Sequence, residues 1–317
     1  MYKAFFVVFF FVAYNTLSAQ QEATKKVKVP IADSLKLWKL GGEFNLYTSQ
    51  LGLSNWVAGG QSSVSGTIRI NLFANHKKEK TEFENSLGLN YGLIKQNGAS
   101  FSKSDDKIDL SSRYEHEAYK GWYYSSSVNF KSQFAPGYKL PNDSNKISNF
   151  LAPGYIILSF GFNYKPNKKF ALLFAPLTGK ITLVFDQKLS NSGAFGVERA
   201  SFDPLGNVIS KGKNVRSEFG GAINLTFNDE IAKNVKLKTK LSLFSNYLYK
   251  PGNIDVLWNL LITMKVNKYL AASISANLIY DNDIKIAQDT NNDNIVDKIG
   301  PVVQFKEVLG IGFTFKF

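Results

Sequence analysis

The chain has 317 residues, a formal net charge of +13 and no cysteine. Without cysteine, an exported protein cannot be held together by disulfides, so a disulfide-stapled scaffold is excluded. Beyond Ala19 there is no uninterrupted apolar run of about eighteen residues, which excludes a protein that crosses a membrane with helices. Strands closed into a barrel are the remaining way across a membrane.

Residues 1–19 have the order of a secretory signal peptide. Lys3 precedes an apolar stretch over 4–13, and Leu17-Ser18-Ala19 supplies the small residues of a cleavage site. That stretch is too short for an uncleaved membrane anchor, which needs about twenty residues. We therefore predict a mature chain that begins at Gln20, with 20–37 as a periplasmic N-terminal segment. Because the protein is expected to be exported, its basic excess is expected to meet outer-membrane lipid and lipopolysaccharide or an anionic solute, and no nucleic acid.

Residues 38–317 alternate between apolar and polar side chains, the period-two pattern of strands with one apolar face. We predict about twelve strands, near 38–49, 62–75, 82–95, 107–118, 122–134, 154–164, 168–176, 214–227, 235–249, 254–266, 269–281 and 303–317. A soluble β-sandwich would also alternate, but its strands are usually about five or six residues long, whereas strands that cross a membrane need about nine to eleven. The predicted fold is an all-β, closed antiparallel transmembrane β-barrel over 38–317.

The predicted connections alternate between short and long. With the first strand running outward, the inner connections are short turns, while the outer ones include the long segments 135–153, 177–213 and 282–302. Short periplasmic turns, long outer loops and an even strand count are typical of outer-membrane barrels. The strand-like run 181–185 leaves two alternatives for the second long segment. It adds a hairpin, giving fourteen strands, or it folds inward and constricts the lumen.

The last strand is predicted to pair with the first, because an open edge in hydrocarbon would leave backbone groups unsatisfied at several kcal/mol each. The residues expected at this seam are Gly41, Gly42, Gly310, Gly312 and Phe317. Glycine inside a strand often marks a bend or a close backbone approach. Trp38 before the first glycine pair and Trp56 before Gly59-Gly60 are expected at the membrane interfaces.

The chain ends on an alternating strand that closes with an aromatic residue, Phe317. Such an ending is similar to the signal that the outer-membrane assembly machinery reads, so this machinery is an expected partner. The oligomeric state stays open.

Five segments resemble a known family. They are Trp38-x-x-Gly41-Gly42, Asn55-Trp56-Val-Ala-Gly59-Gly60, Leu177-Thr-Gly-Lys-Ile-Thr-Leu-Val184, Gly193-Ala-Phe-Gly-Val197 and Gln304-Phe-Lys-Glu-Val-Leu-Gly-Ile-Gly312. Together they resemble an outer-membrane β-barrel family of Bacteroidota bacteria that is known only as a domain of unknown function. The resemblance covers nearly all of the mature chain. It implies a fold and a location, and it implies no activity.

Charged residues are predicted on the lumen side of several strands. The acidic set is Glu82, Glu84, Glu115 and Glu117, and the basic set is Lys236, Lys238 and Lys265. In a ring of twelve strands the two sets lie on opposite walls and would create a transverse field, as in a porin. The alternative is that long side chains bridge a narrow lumen and seal it with salt bridges.

One outer segment has the residue spacing of a calcium loop. Asp289, Asn291, Asp293, Ile295 and Asp297 occupy every second position, and carboxylate and amide oxygens can converge on one hard cation. Asn294 replaces the expected turn glycine, and Gly300 stands where a bidentate glutamate would complete an EF-hand. Calcium is the one cofactor indicated, and a plain polar loop is the alternative.

Catalysis has little support in the sequence, because the chain has two histidines, His76 and His116. Ser112 precedes His116 on the apolar face of one strand, but four residues along a strand span about 13 Å, too far for a hydrogen bond. We therefore expect no enzyme. The leading prediction is a channel for small polar solutes or a structural or assembly component of the envelope. The alternatives are a membrane-embedded lipid hydrolase and a surface protein that binds through its outer loops.

Overall fold

The protein is described here from a computed structural model that covers residues 37–51, 62–96, 98–138, 145–288 and 296–317. The predicted signal peptide 1–19 and all but the last residue of segment 20–37 lie outside the described residues, as do Trp56, Gly59 and Gly60.

Eighteen strands make up most of this described part. They are β1 (Trp38–Leu51), β2 (Ser63–Lys78), β3 (Thr81–Gln96), β4 (Ser102–Tyr119), β5 (Trp122–Ser132), β6 (Gly137–Tyr138), β7 (Lys146–Ser148), β8 (Gly154–Tyr164), β9 (Phe170–Leu183), β10 (Ser201–Phe202), β11 (Val208–Ser210), β12 (Val215–Ala232), β13 (Val235–Asn246), β14 (Ile254–Lys265), β15 (Leu270–Tyr280), β16 (Ile286–Gln288), β17 (Lys298–Gly300) and β18 (Gln304–Lys316). The described helices are short: α1 (Gln187–Asn191) and a 3-10 turn over Ala194–Gly196. Within the described residues no helix is long and apolar enough to cross a bilayer.

Twelve of these strands close into one antiparallel barrel. Their order around the ring is β1-β18-β15-β14-β13-β12-β9-β8-β5-β4-β3-β2. The six short strands form three separate hairpins in the connections: β6 with β7, β10 with β11, and β16 with β17. The predicted closed antiparallel barrel of twelve strands is therefore confirmed.

The barrel has apolar residues outside and polar residues inside. On β18, Leu309, Ile311 and Phe313 are 72, 59 and 59 % exposed, whereas the inward carboxylate Glu115 on β4 is completely buried. An apolar outer wall is unfavourable in water, because burying apolar surface is the main stabilising term in folding. This distribution is the one that a hydrocarbon surrounding stabilises.

The two ends of the barrel differ in their connections. At one end, called here the turn end, adjacent strands are joined by 79–80, 120–121, 165–169, 233–234 and 266–269. At the other, the loop end, the connections are 52–62, 97–101, 133–153, 184–214, 247–253 and 281–303. At the turn end Gly121 has a φ of 79° and sits under Lys165, so a side chain there would be strained and would meet the carbonyl oxygen of that lysine.

The fourteen-strand alternative is wrong. Residues 181–183 of the run continue β9, which ends at Leu183 and not near 176. They pair with β12 on one side and β8 on the other. The register of both pairings shifts beside Pro176, where a bulge lets the strand carry a residue that cannot donate a backbone hydrogen bond. Thr178 Oγ1 donates to the Ala175 carbonyl across this bulge at 3.0 Å.

The barrel closes between β1 and β18. Leu46 pairs with Phe313 and Tyr47 with Gly312. A Cβ on Gly312 would collide with the Leu46 carbonyl oxygen, and one on Gly310 would lie 3.2 Å from the Tyr47 ring. Glycine at these positions lets the two strands and the inward tyrosine approach closely.

Trp38 lies at the turn end of β1, with its ring centroid 5.1 Å from that of His76 and 6.1 Å from that of Phe83. Gly41 and Gly42 follow it, and a Cβ on Gly41 would lie 2.5 Å from the Phe73 ring. This glycine pair therefore makes room for aromatic rings.

Candidate functional site: the charged lumen

Three of the four predicted acidic residues, Glu82, Glu84 and Glu115, form one ion-pair network at the turn end. Glu115 Oε2 lies 2.5 Å from Lys165 Nζ, and its Oε1 accepts from Asn163 Nδ2 at 2.5 Å and lies 3.3 Å from Arg113 Nε. Glu82 pairs with Lys165 and Lys77, and Glu84 pairs with Arg113. Most of the acidic wall is thus neutralised by basic residues of the same wall. Glu117 lies on the same inward face, opposite Tyr123 of β5.

Lys165 holds this network together from the turn after β8. Burial alone would lower its pKa, but hydrogen bonds to Glu115 and Glu82 outweigh that effect and hold the pKa above its ordinary value. Its ammonium also lies 4.3 Å from the centre of the Tyr123 ring, a cation–π contact. Sequence analysis missed Lys165 because it is in a turn, outside the alternating pattern.

The predicted basic residues lie on the opposite wall. Lys236 and Lys238 are on β13, and β13 is six positions from β3 in the ring of twelve. Lys265 ends β14, which is six positions from β4. All three lysines are exposed, and none has an ion-pair partner in the part of the chain that the structure describes.

The lumen face carries further charged residues outside the two predicted sets. Lys240 continues the inward face of β13, and Lys131 faces inward from β5, directly opposite Asp109 of β4 in the register. Asp109 pairs with Lys107 at 2.8 Å. The alternation that identified Lys236 and Lys238 also applies to Lys240, so that residue could have been found.

A second network lies at the loop end and is centred on Lys180 of β9. Its ammonium is 2.7 Å from Asp255 Oδ2, 3.4 Å from Asp281 Oδ2 and 3.5 Å from Glu218 Oε2. It also lies 5.3 Å from the centre of the Phe244 ring, which packs against Leu173, Ala175 and Ala222. Lys180 is on β9 and Asp255 is on β14, and β12 and β13 lie between these strands in the ring. The ion pair therefore crosses part of the lumen as a chord.

Two more ion pairs form chords at this end. Arg216 of β12 pairs with Asp283, beyond the end of β15, and lies 3.0 Å from Glu218. Lys306 of β18 lies 2.9 Å from Asp105 of β4, four positions away in the ring. These chords narrow the loop end of the lumen.

Segment 184–214, called here the cap segment, docks onto this network and onto a neighbouring loop. The Gly196 carbonyl accepts from Arg216 Nη1 at 3.3 Å. Asp186 caps α1, pairs with Lys146 and accepts from Asn149 Nδ2 at 3.1 Å. Burial would raise the pKa of Asp186, but these contacts and the Leu189 amide outweigh it and hold the pKa below its ordinary value. Val184, Leu189 and Val197 of the segment form a buried apolar cluster with Ala152 of the neighbouring loop. One predicted alternative is that 177–213 folds inward. This alternative applies in part to 184–214, because Gly196 contacts Arg216 of the loop-end network.

Most of the predicted calcium loop, 289–295, lies outside the described residues. Asp297 is described, and its amide donates to the Gln288 carbonyl at 3.0 Å where hairpin β16–β17 begins. Among the described residues there is no group of three or more acidic, histidine or cysteine side chains placed to hold a metal ion.

Ser112 and His116 are not joined to each other. Ser112 Oγ donates to Asn85 Oδ1 at 2.8 Å, and His116 Nδ1 is 3.3 Å from Thr81 Oγ1. The structure therefore does not assemble the serine–histidine pair that the hydrolase alternative requires.

Comparison with known proteins gives one family and several barrels of similar fold. The family described as a protein of unknown function, DUF3078, matches residues 48–138. Comparison with curated proteins gives no match.

Three of the solved structures that match this chain are bacterial proteins. An outer membrane channel from Pseudomonas putida F1 has 10 % identity and a TM-score of 0.39, covering 88 % of this chain and 94 % of its own. The translocator domain of the autotransporter NalP from Neisseria meningitidis has 11 % identity and a TM-score of 0.33, covering 87 % of each chain. The toluene transporter TodX from P. putida has 8 % identity and a TM-score of 0.34, covering 89 % of this chain and 80 % of its own.

Proposed function

We propose that this protein is an integral outer-membrane β-barrel that passes small polar solutes through its lumen. The supporting observation is that Lys238 and Lys240 face the inside of a closed ring and are nevertheless exposed side chains. Exposure inside the ring requires space around these groups, and charged groups in such a space are stabilised by water.

The proposed location includes export with cleavage before Gln20 and insertion by the outer-membrane assembly machinery. The order of residues 1–19 and the aromatic carboxy-terminal strand support it. Amino-terminal sequencing of the mature protein from the outer-membrane fraction tests it. A chain that starts at Met1, or one recovered in the soluble periplasm, would contradict it.

A second candidate function is that of a sealed structural barrel of the envelope. The chords at the loop end favour it, because Lys180 alone bridges to three carboxylates on three different elements. Such pairs are difficult to break when partly buried, since each released charge would remain without a partner.

Recording in planar lipid bilayers distinguishes the two candidates. Heat-modifiable migration in gel electrophoresis first establishes that the purified protein is folded. A channel gives discrete conductance steps, and these should become larger in Lys180→Met if the Lys180 chords restrict the lumen. Folded protein that gives no steps at any voltage, in either form, would contradict the channel and leave the sealed barrel.

A further inference from the structure

Three lysines on the lumen face have no ion-pair partner in the described part of the chain. Lys131, Lys238 and Lys240 take part in no ion pair among the described residues, and we call them the central lysines. The carboxylate opposite Lys131 in the register, Asp109, does have partners. It is held by Lys107 at 2.8 Å and by Asn129 Nδ2 at 2.9 Å.

The strand register puts the central lysines on the inner face of the barrel. Lys131 lies opposite Asp109 in the β4–β5 pair, and Lys240 lies opposite Thr226 and Asn259 in its two pairs. Directly opposite residues of an antiparallel pair share a face, so these lysines share the face of polar neighbours. The alternate residues Phe130 and Leu241 then belong to the outer, apolar face.

The central lysines face the lumen from two walls of the ring, since Lys131 is on β5 and Lys238 and Lys240 are on β13. Lys240 lies in the field of Lys131 and Asp109, and also of Arg113 and Lys107, all of them on β5 and β4, which are four to five positions from β13 in the ring. Lys107 of β4 acts on Lys238 from across the ring, as do the carboxylates Glu43 and Asp109 with the opposite sign, while Lys236 acts on it from the same strand, β13. Positive groups from separate walls therefore converge on one section of the lumen.

Converging like charges raise the energy of the folded barrel unless something offsets them. The Lys107–Asp109 ion pair has no net charge. The three central lysines therefore give this section of the lumen a net positive charge. A low-dielectric wall strengthens such repulsion and also concentrates mobile ions of the opposite sign. A small anion in this section would stabilise all three ammonium groups together.

We propose that Lys131, Lys238 and Lys240 form an anion-binding site in the lumen that makes the channel select small anions over cations. This inference rests on the proposed channel function and adds a class of solute to it. Ammonium groups are compact charges without the planar geometry of a guanidinium. The site is therefore selective for charge and size, and it accepts inorganic phosphate and small carboxylates alike.

The reversal potential in a KCl gradient across a planar bilayer tests the selectivity. The wild-type channel is expected to be anion-selective, and Lys131→Gln/Lys240→Gln should reduce the chloride-to-potassium permeability ratio by roughly tenfold. The matched control is Lys233→Gln, which removes one positive charge from an exposed residue of a turn at the turn end. Potassium selectivity in the wild type, or equal ratios in the wild type and the double variant, would overturn the proposal while leaving the channel in place.

Addition of inorganic phosphate, pyrophosphate or acetate at constant ionic strength tests the class of anion. Pyrophosphate is expected to reduce the chloride current more than acetate does, and the effect should disappear in the double variant. Block by none of the three anions would show that the section has no binding site. Lys238→Gln provides a second test if the double variant does not migrate as a folded barrel.

An equilibrium measurement separates this inference from the proposed function if no current is seen. Pyrophosphate should raise the temperature at which the folded form disappears in gel electrophoresis for the wild type, but not for the double variant. Stabilisation without current would retain the anion site and reject the channel. Neither stabilisation nor current would reject both.

Discussion

Gly42 of β1 and Phe317, the last residue of the chain, exchange two backbone hydrogen bonds of 2.9 and 3.1 Å. The Phe317 ring covers the position that a Cβ on Gly42 would occupy, 2.6 Å away. The carboxy-terminal residue therefore extends the β1–β18 pairing beyond the end of β18. The stability of the barrel should depend on side-chain volume along this seam.

Gly312→Ala is expected to destabilise the barrel by about 1–3 kcal/mol, the usual cost of overpacking. The reason is that its Cβ would collide with the backbone carbonyl of Leu46, which cannot rotate away. Loss of the heat-modifiable form during urea titration measures the effect. Gly66→Ala is the control, because open space surrounds that Cβ on β2. Equal midpoints for both variants would show that the seam is not tightly packed.

Lys180→Met is expected to lower the free energy of unfolding by roughly 3–5 kcal/mol. The variant leaves the nearly buried Glu218 carboxylate and two aspartates without their shared cation. Lys169→Met breaks the ion pair between Lys169 and Asp229. Because the Lys169 side chain is exposed, this variant should lower the free energy of unfolding by no more than about 1 kcal/mol. Urea unfolding of both variants checks the difference. Comparable losses would mean that the Lys180 network adds nothing beyond a surface ion pair.

Docking of the cap segment should depend on pH through Asp186. The pKa of this carboxyl is lowered in the folded protein, so its contacts stabilise the segment fully above the ordinary aspartate pKa of about 3.9. That stability declines as pH falls below this value and through the lowered pKa, where the carboxyl becomes protonated. Hydrogen exchange of the Phe185 and Ser190 amides, corrected for intrinsic rates, should therefore accelerate in acid.

Asp186→Asn should give fast exchange of the same amides already at neutral pH, since it removes the charge that Lys146 pairs with. Asp203→Asn is a suitable control. Asp203 accepts the amides of Leu205 and Asn207 within hairpin β10–β11, so only that hairpin should respond. Protection that stays constant from neutral pH down to pH 3 would refute the role of Asp186.

The proposed calcium loop predicts weak binding, with a dissociation constant on the order of 10⁻⁴ to 10⁻³ M, as in extracellular calcium modules. Isothermal titration calorimetry of the folded protein should detect it, and Asp293→Ala should abolish it because this residue is central to the spacing. Asp203→Ala, which removes an acidic residue from a different loop, should leave the heat unchanged. Absence of heat at millimolar calcium in the wild type would rule the site out.

The sequence by itself determined the strands and which face each presents. Alternation is a local property, because successive side chains of a strand point to opposite faces whatever its partners are. It therefore predicted the lumen side for Lys236 and Lys238 and the outer side for Leu309 and Phe313 without knowledge of the pairing. It failed in β9, where Pro176 looks like the end of a strand although a bulge carries the strand past it.

Only the tertiary structure decided which charges meet. Lys165 reaches Glu82 from a turn 83 residues further along the chain, and Lys306 reaches Asp105 across 201 residues. No local pattern encodes such partners, because they depend on how far neighbouring strands shift as the ring closes and on how wide the ring is. The same closure pairs most of the acidic wall with basic residues and leaves Lys131, Lys238 and Lys240 on the lumen face with no ion-pair partner among the described residues.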